Sequence, residues 1–336
     1  MKKTLVLLAL LLGLSVSAGA QTMINAAGAT FPAPIYQKWF EMYHGAHSNV
    51  QVNYQALGSG AGIAQLTAGT VDFGASDAPM TDDQLSKVKT KVLHFPTVLG
   101  AVVPTYNVPG LTGDLNFSQK ALAGIFLGTI TKWNDPEIAK ANPKIKLPAD
   151  DIVVVHRSDG SGTSFIFTDF LSKVSPDWKS KVGAGAAPNW PVGLGGKGSD
   201  GVTGMIKQTP DSIGYVELIY ALQNNVPYGA VENSAGKFMK ADLAGVSAAA
   251  AGAAKDMPAD FRVSITNAPG AGAYPISSFT WMLIPAQFSD AAKRDTIKDF
   301  LTWMLADGQN VNESLHYAKL PAAVVAKEKA QVSAIQ

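Results

Sequence analysis

The sequence predicts an α/β protein. Short apolar runs of strand length alternate with segments whose apolar residues recur at helical spacing. Turns rich in glycine and small polar residues stand between them. The runs 52–56, 71–75, 99–106 and 152–156 read as strands. Ile35, Trp39 and Met42 fall on one helical face, as do Phe167, Phe170, Leu171 and Val174. No internal repeat is visible. The stretch 183–204 is dense in Gly and Pro and is expected to be a long loop. The Ala-rich stretch 245–254 reads as helix or loop filler.

The N-terminus is expected to be a separate element. Lys2 and Lys3 give a cationic start, 4–14 is an apolar run, and Ala18-Gly19-Ala20 supplies small residues for cleavage. This is the pattern of a secretory signal peptide over 1–20. The run is too short to span a hydrocarbon core of about 30 Å, and no Cys follows to carry a lipid. A soluble periplasmic protein is therefore expected. With no Cys anywhere in the chain, an exported protein must be stabilised by its hydrophobic core. Its 336 residues, 47% of them hydrophobic, suffice for two domains.

Charge excludes one class of function. Of 27 basic residues, removal of Lys2 and Lys3 leaves 25 against 26 acidic. Nucleic acid is bound through basic surfaces, so it is not an expected partner. An anion held by so neutral a chain would need directed local groups.

Three turns offer such groups, each set between a strand and a helix. The first contains Thr30 and Phe31, followed by Pro32-Ala33-Pro34 at an expected helix start. The second is Gly58-Ser59-Gly60-Ala61-Gly62. The third is Arg157-Ser158-Asp159-Gly160-Ser161-Gly162-Thr163. A helix start carries unpaired backbone N–H groups and a partial positive charge, which suits an anion. Glycine admits close approach and Ser or Thr adds a hydroxyl. Each turn taken alone is also an ordinary cap, with Thr30, Ser59 and Ser161 as capping residues. Arg157 makes the third turn more specific, because a guanidinium forms paired bonds to an oxyanion. Asp159 is placed to orient it.

Asp77 follows a strand in the run VDFGASDAP. A carboxylate beside an anion is repulsive unless one of them carries a proton. Phosphate carries one near neutrality, its second ionisation in esters lying near pH 6; sulfate does not. Thr81 and Gln84 already form a capping box for the next helix, so Asp77 is not needed as a cap. Scans for other chemistry are weak. Pro191 and Gly198 spoil a phosphate-binding Walker loop around Gly196-Lys197. Leu57 and Asp159 spoil a nucleophile elbow at Ser59 and Ser161. His44 and His47 read as a surface pair, not a metal site, and His156 as packing beside its strand.

These stretches resemble the phosphate-binding proteins of bacterial phosphate-specific ABC transporters. The resemblance is carried by AAGATFPAPIYQKW at 26–39, VDFGASDAP at 71–79 and RSDGSGTSFIFT at 157–168. WPVGLGGKGSDG at 190–201 and IGYVE at 213–217 add to it. It implies a type II periplasmic binding fold with two α/β lobes around a cleft. The expected lobes are 21–104 plus 273–336 and 105–272, with hinges near Pro104 and Tyr274-Pro275.

It also implies a monomer without cofactor or metal, no catalysis, and delivery of phosphate to membrane permease subunits. The implied phosphate ligands are Thr30, Phe31, Ser59, Asp77, Arg157, Ser161, Gly162 and Thr163, with Asp159 holding Arg157. Ser158 and Gly60 depart from relatives that carry Ala and Ser there. The rival readings are a receptor for sulfate or molybdate, and a periplasmic phosphatase using Ser161.

Overall fold

The computed structural model describes residues 21–336; the expected leader over 1–20 lies outside them. The N-terminal part alternates strand and helix: β1 (Thr22–Gly28), α1 (Ala33–Ala46), β2 (Val50–Ala56), α2 (Ser59–Ala68), β3 (Phe73–Ser76) and α3 (Asp82–Ser86). A long strand, β4 (Val92–Asn107), closes it. The middle part runs β5 (Asn116–Phe117), α4 (Gln119–Leu127), α5 (Pro136–Ala141), β6 (Val153–Arg157), α6 (Gly162–Val174) and α7 (Pro176–Lys181). It continues through β7 (Leu194–Gly196), α8 (Gly198–Gln208), β8 (Ser212–Glu217), α9 (Leu218–Gln223), β9 (Ala230–Glu232), β10 (Phe238–Met239) and α10 (Leu243–Lys255). The chain ends with β11 (Ser277–Pro285), α11 (Ala291–Met304), a 3-10 turn (Gly308–Leu315) and α12 (Ala322–Val332). No helix among the described residues is long and apolar enough to cross a membrane.

Eight strands join in the order β2-β1-β3-β11-β4-β8-β6-β7, and β10-β9-β5 form a small second sheet. The expected α/β class holds. Strand β4 is longer than the predicted 99–106 and organises the sheet. Residues 92–101 pair antiparallel with β11, and residues 102–107 pair antiparallel with β8. One strand thus serves two partners in succession. Its continuous apolar run is buried apart from Asn107, as expected for a strand covered on both faces. Pro96 lies where the β11 register shifts, leaving Thr97 unmatched, one of the few places a sheet tolerates proline.

Burial follows the predicted helical faces. Ile35, Tyr36, Trp39, Phe40 and Tyr43 of α1 are buried, and Phe40 and Tyr43 pack on Phe300 of α11. Phe167, Phe170 and Leu171 of α6 are buried, with Phe167 stacked on Tyr215. His156 stacks on Trp190, as its strand-side reading required. The stretch 245–254 is helical within α10, which packs on β4, β11 and α12. Beyond it, Trp281 Nε1 donates to the Phe261 carbonyl at 2.9 Å and Lys327 to that of Met257 at 3.0 Å.

One expectation fails. The stretch 183–204 is not a continuous loop, since β7 and the start of α8 lie within it. Its glycines serve close packing. A Cβ on Gly196 would come within 2.8 Å of the Val202 backbone nitrogen, so this strand and helix touch at a distance only glycine allows.

Candidate functional site

The three predicted turns converge. The β1–α1 turn presents Thr30 and Phe31, and the start of α2 presents Ser59. Residues just past β3 present Asp77, and β6 with the start of α6 presents Arg157, Ser161, Gly162 and Thr163. All eight are buried. The shared sheet brings these strand ends together; open α/β sheets place their sites at such C-terminal strand ends.

Two of the three expected caps are something else. Thr30 does not cap α1, whose N-cap position is Pro32. Its hydroxyl instead lies 2.9 Å from Ser199 Oγ and accepts from Arg157 Nη1 at 3.2 Å. Ser59 does not cap α2 either. Gly58 occupies the cap position, which makes Ser59 the first helical residue. A side chain there points away from its own helix's free amides. Ser59 Oγ therefore accepts from the backbone N–H of Asp77 at 3.2 Å and of Gly162 at 3.0 Å. Only Ser161 caps, accepting from Ser164 N at 3.1 Å.

Arg157 is fixed from several sides. Its Nε donates to Asp159 Oδ1 at 2.7 Å and its Nη2 donates to Asp159 Oδ2. This is the forked pair that orients a guanidinium. Asp159 also accepts the Gly198 amide at 3.0 Å. Burial pushes the Asp159 carboxyl up, but the bonds and charge of Arg157 outweigh it and hold it below the usual range.

Asp77 lies in the opposite electrostatic condition. It is 1% exposed and accepts from Thr280 Oγ1 at 2.8 Å. Burial pushes its pKa up to about 7, against the pull of Thr280, Arg157, Ser59 and Thr163. Desolvation penalises the charged form, and here it wins. Nearby, Glu217 is fully buried and held well above the carboxylate range by burial, with the Asp77 charge adding to the effect. The hydroxyl of Thr163 and one carboxyl oxygen of Glu217 are buried without a protein partner.

Glycine is required where the turns meet. A Cβ on Gly162 would stand 2.6 Å from both Asp77 Cβ and Ser59 Oγ. Gly60 donates its N–H to the Gly160 carbonyl at 2.8 Å, and a Cβ there would lie 3.1 Å from Gly160 Cα. Gly60 therefore lets the second and third turns touch.

Sequence reasoning missed several neighbours. Ser199 stood within the GKGSDG stretch and Glu217 within IGYVE, so both were visible as motif text without a role. Tyr220 and Tyr317 donate to the Thr30 and Phe31 carbonyls, each at 2.6 Å, and nothing local in the sequence signals either contact. Thr280, 203 residues from Asp77, carries no signal at all. His44 and His47 remain exposed; His44 Nδ1 lies 2.6 Å from the Val50 carbonyl and His47 stacks on Tyr43.

Comparison with known proteins places the chain in a family. A family model described as a PBP superfamily domain matches residues 15–308. A phosphate-binding protein PstS of Xylella fastidiosa strain Temecula1 is 46% identical over 303 residues, covering 90% of this chain and 82% of that protein. The chain belongs to the PstS family. A second member, from Pasteurella multocida, is 43% identical over 333 residues, covering 98% of this chain and 96% of its own. A phosphate-binding protein from Stenotrophomonas maltophilia superposes with a TM-score of 0.72 at 20% identity, over 92% of this chain and 94% of that one. That last likeness supports the fold alone, and the fold is the expected α/β arrangement of periplasmic binding proteins.

Proposed function

We propose that this chain binds inorganic phosphate in the periplasm and presents it to the membrane subunits of an ABC importer. The observation that carries the reading is the pairing of Arg157 with Asp77 in one buried site of a nearly neutral protein. Arg157 attracts an oxyanion. Asp77, in its ionised form, accepts a hydrogen bond only from an oxyanion that carries a proton. Phosphate shares its proton with the carboxylate in a charge-assisted hydrogen bond. Sulfate, fully deprotonated, would face an unpaired buried charge, and specificity built on such a penalty is strong.

The ligand shell in this reading consists of the backbone N–H groups of Thr30, Phe31 and Thr163, the hydroxyls of Thr30, Ser59, Ser161 and Thr163, the guanidinium hydrogens of Arg157 not used by Asp159, and the Asp77 carboxylate. Gly162, whose own N–H is donated to Ser59 Oγ, positions that hydroxyl. The unpartnered Thr163 hydroxyl supports it, because buried hydroxyls normally find a partner. Two lobes, 21–104 with 273–336 and 105–272, would close over the anion. The change of partner along β4 at Ala101 and Val102 supports a crossing near Pro104. The segment after α9 that lies on β11 and α12 would form the seam. A phosphatase reading is disfavoured, since the Ser161 hydroxyl is engaged as a helix cap and no base among the described residues bonds it.

Calorimetry of the purified mature protein with phosphate and with sulfate tests the reading. Phosphate is expected to bind tightly and sulfate not measurably. Tighter binding of sulfate or molybdate, or turnover of a phosphate ester that is lost in Ser161→Ala, overturns it.

A further inference from the structure

Thr30 is held across the site by groups that lie outside the proposed ligand shell as well as by Arg157. Its hydroxyl meets Arg157 and Ser199, and its carbonyl oxygen accepts the Tyr220 hydroxyl at 2.6 Å over a sequence separation of 190 residues. The next carbonyl, that of Phe31, accepts the Tyr317 hydroxyl at 2.6 Å. The two tyrosines stand in different parts of the chain. Tyr317 follows the 3-10 turn and belongs with Phe31 in the N- and C-terminal lobe. Tyr220 belongs to α9 in the inserted lobe.

Helix α9 is well anchored at its base. Glu217 Oε2 caps it by accepting from the Ile219 amide at 2.7 Å. Glu217 is also the last residue of β8, paired with Val102 at the point where β4 leaves β11. Tyr220 is thus fixed to the inserted lobe close to the crossing, with its hydroxyl reaching over to the other lobe.

We propose that Tyr220 is a latch that sets the lifetime of the closed, phosphate-loaded state. The proposal rests on the phosphate and two-lobe reading above. Tyr220 is a positioning residue: its hydroxyl bonds the carbonyl of a ligand-bearing turn. A bond made only between closed lobes stabilises the closed state relative to the open one. Removing it speeds opening and leaves capture by the open form unchanged. Tyr317, whose bond lies within one lobe, contributes equally in both states.

Stopped-flow measurement with inorganic phosphate separates these roles. Tyr220→Phe is expected to release phosphate about three- to tenfold faster, the size of one hydrogen bond. Its association rate and ligand-free melting temperature should stay at the native values. Tyr317→Phe should lower the ligand-free melting temperature. Native binding with an unchanged release rate in Tyr220→Phe overturns the latch alone. A lowered ligand-free melting temperature in Tyr220→Phe, with release and association altered alike, also overturns it. Absence of phosphate binding by the native protein overturns the functional reading as well.

Discussion

The hydroxyl of Ser59 accepts the backbone N–H of Gly162 at 3.0 Å, so the first turns of α2 and α6 meet through a single oxygen. The two residues are 103 positions apart and come from opposite ends of the β4 crossing. In the two-lobe reading proposed above, the contact would make Gly162 a steric gauge of closure. Gly162→Ala would drive a methyl group to 2.6 Å from Asp77 Cβ and Ser59 Oγ. Overpacking of this kind costs about 1–3 kcal/mol, so phosphate affinity should fall roughly ten- to a hundredfold. Titration calorimetry of the variant checks this, and native affinity would show that the turns separate when the anion binds.

Asp77→Asn should relax selectivity. The amide cannot take a proton from the anion as a carboxylate does, and it no longer repels sulfate. The ratio of phosphate to sulfate affinity is expected to fall about tenfold or more, the value of one charge-assisted bond. Parallel calorimetry with both anions reads the ratio; an unchanged preference removes Asp77 from the discriminating role.

Arg157→Ala should be more damaging. It removes the only charged donor of the proposed shell and leaves half-buried Asp159 without its cation. Breaking one side of a buried pair costs about 3–5 kcal/mol, so phosphate binding should weaken by about two to four orders of magnitude. Arg157→Lys restores charge but not the fork. It should recover only part of the loss, as equilibrium dialysis with labelled phosphate would report.

The Asp77 carboxyl also predicts a pH dependence of stability. Its pKa rises from 3.8 to about 7 on folding, so the folded state binds more protons between these values. Stability from this group is fully present below about pH 4 and is lost as pH rises through 7. Asp159 acts oppositely: its lowered pKa stabilises above the ordinary carboxylate range and is lost on acidification. Glu217 and Glu328 share the direction of Asp77, so the informative quantity is a difference. Urea unfolding of the phosphate-free protein from pH 5 to 8 should show the advantage of Asp77→Asn over the native chain growing with pH. A constant difference would mean that Asp77 does not titrate on folding.

The sequence by itself determined the class of the fold, four of the eleven described strands and the eight residues that gather in the site. Strand and helix periods are local, and a glycine turn between them announces a helix start wherever it stands. The same locality explains what was misread. Thr30 and Ser59 look like caps because capping is the local use of such residues, and 183–204 looks like a loop because glycine usually marks one. Whether Ser59 caps its own helix or bonds Gly162 depends on where another helix begins, 103 residues away.

Tertiary structure alone decided the partners. Thr280 on Asp77, Ser199 on Thr30, and Tyr220 and Tyr317 on successive carbonyls are meetings arranged by the order of strands in the sheet. It also raised the proton affinity of Asp77. A carboxyl's affinity for its proton is set by how much water the surrounding chain removes, and that is a property of packing that no stretch of sequence holds.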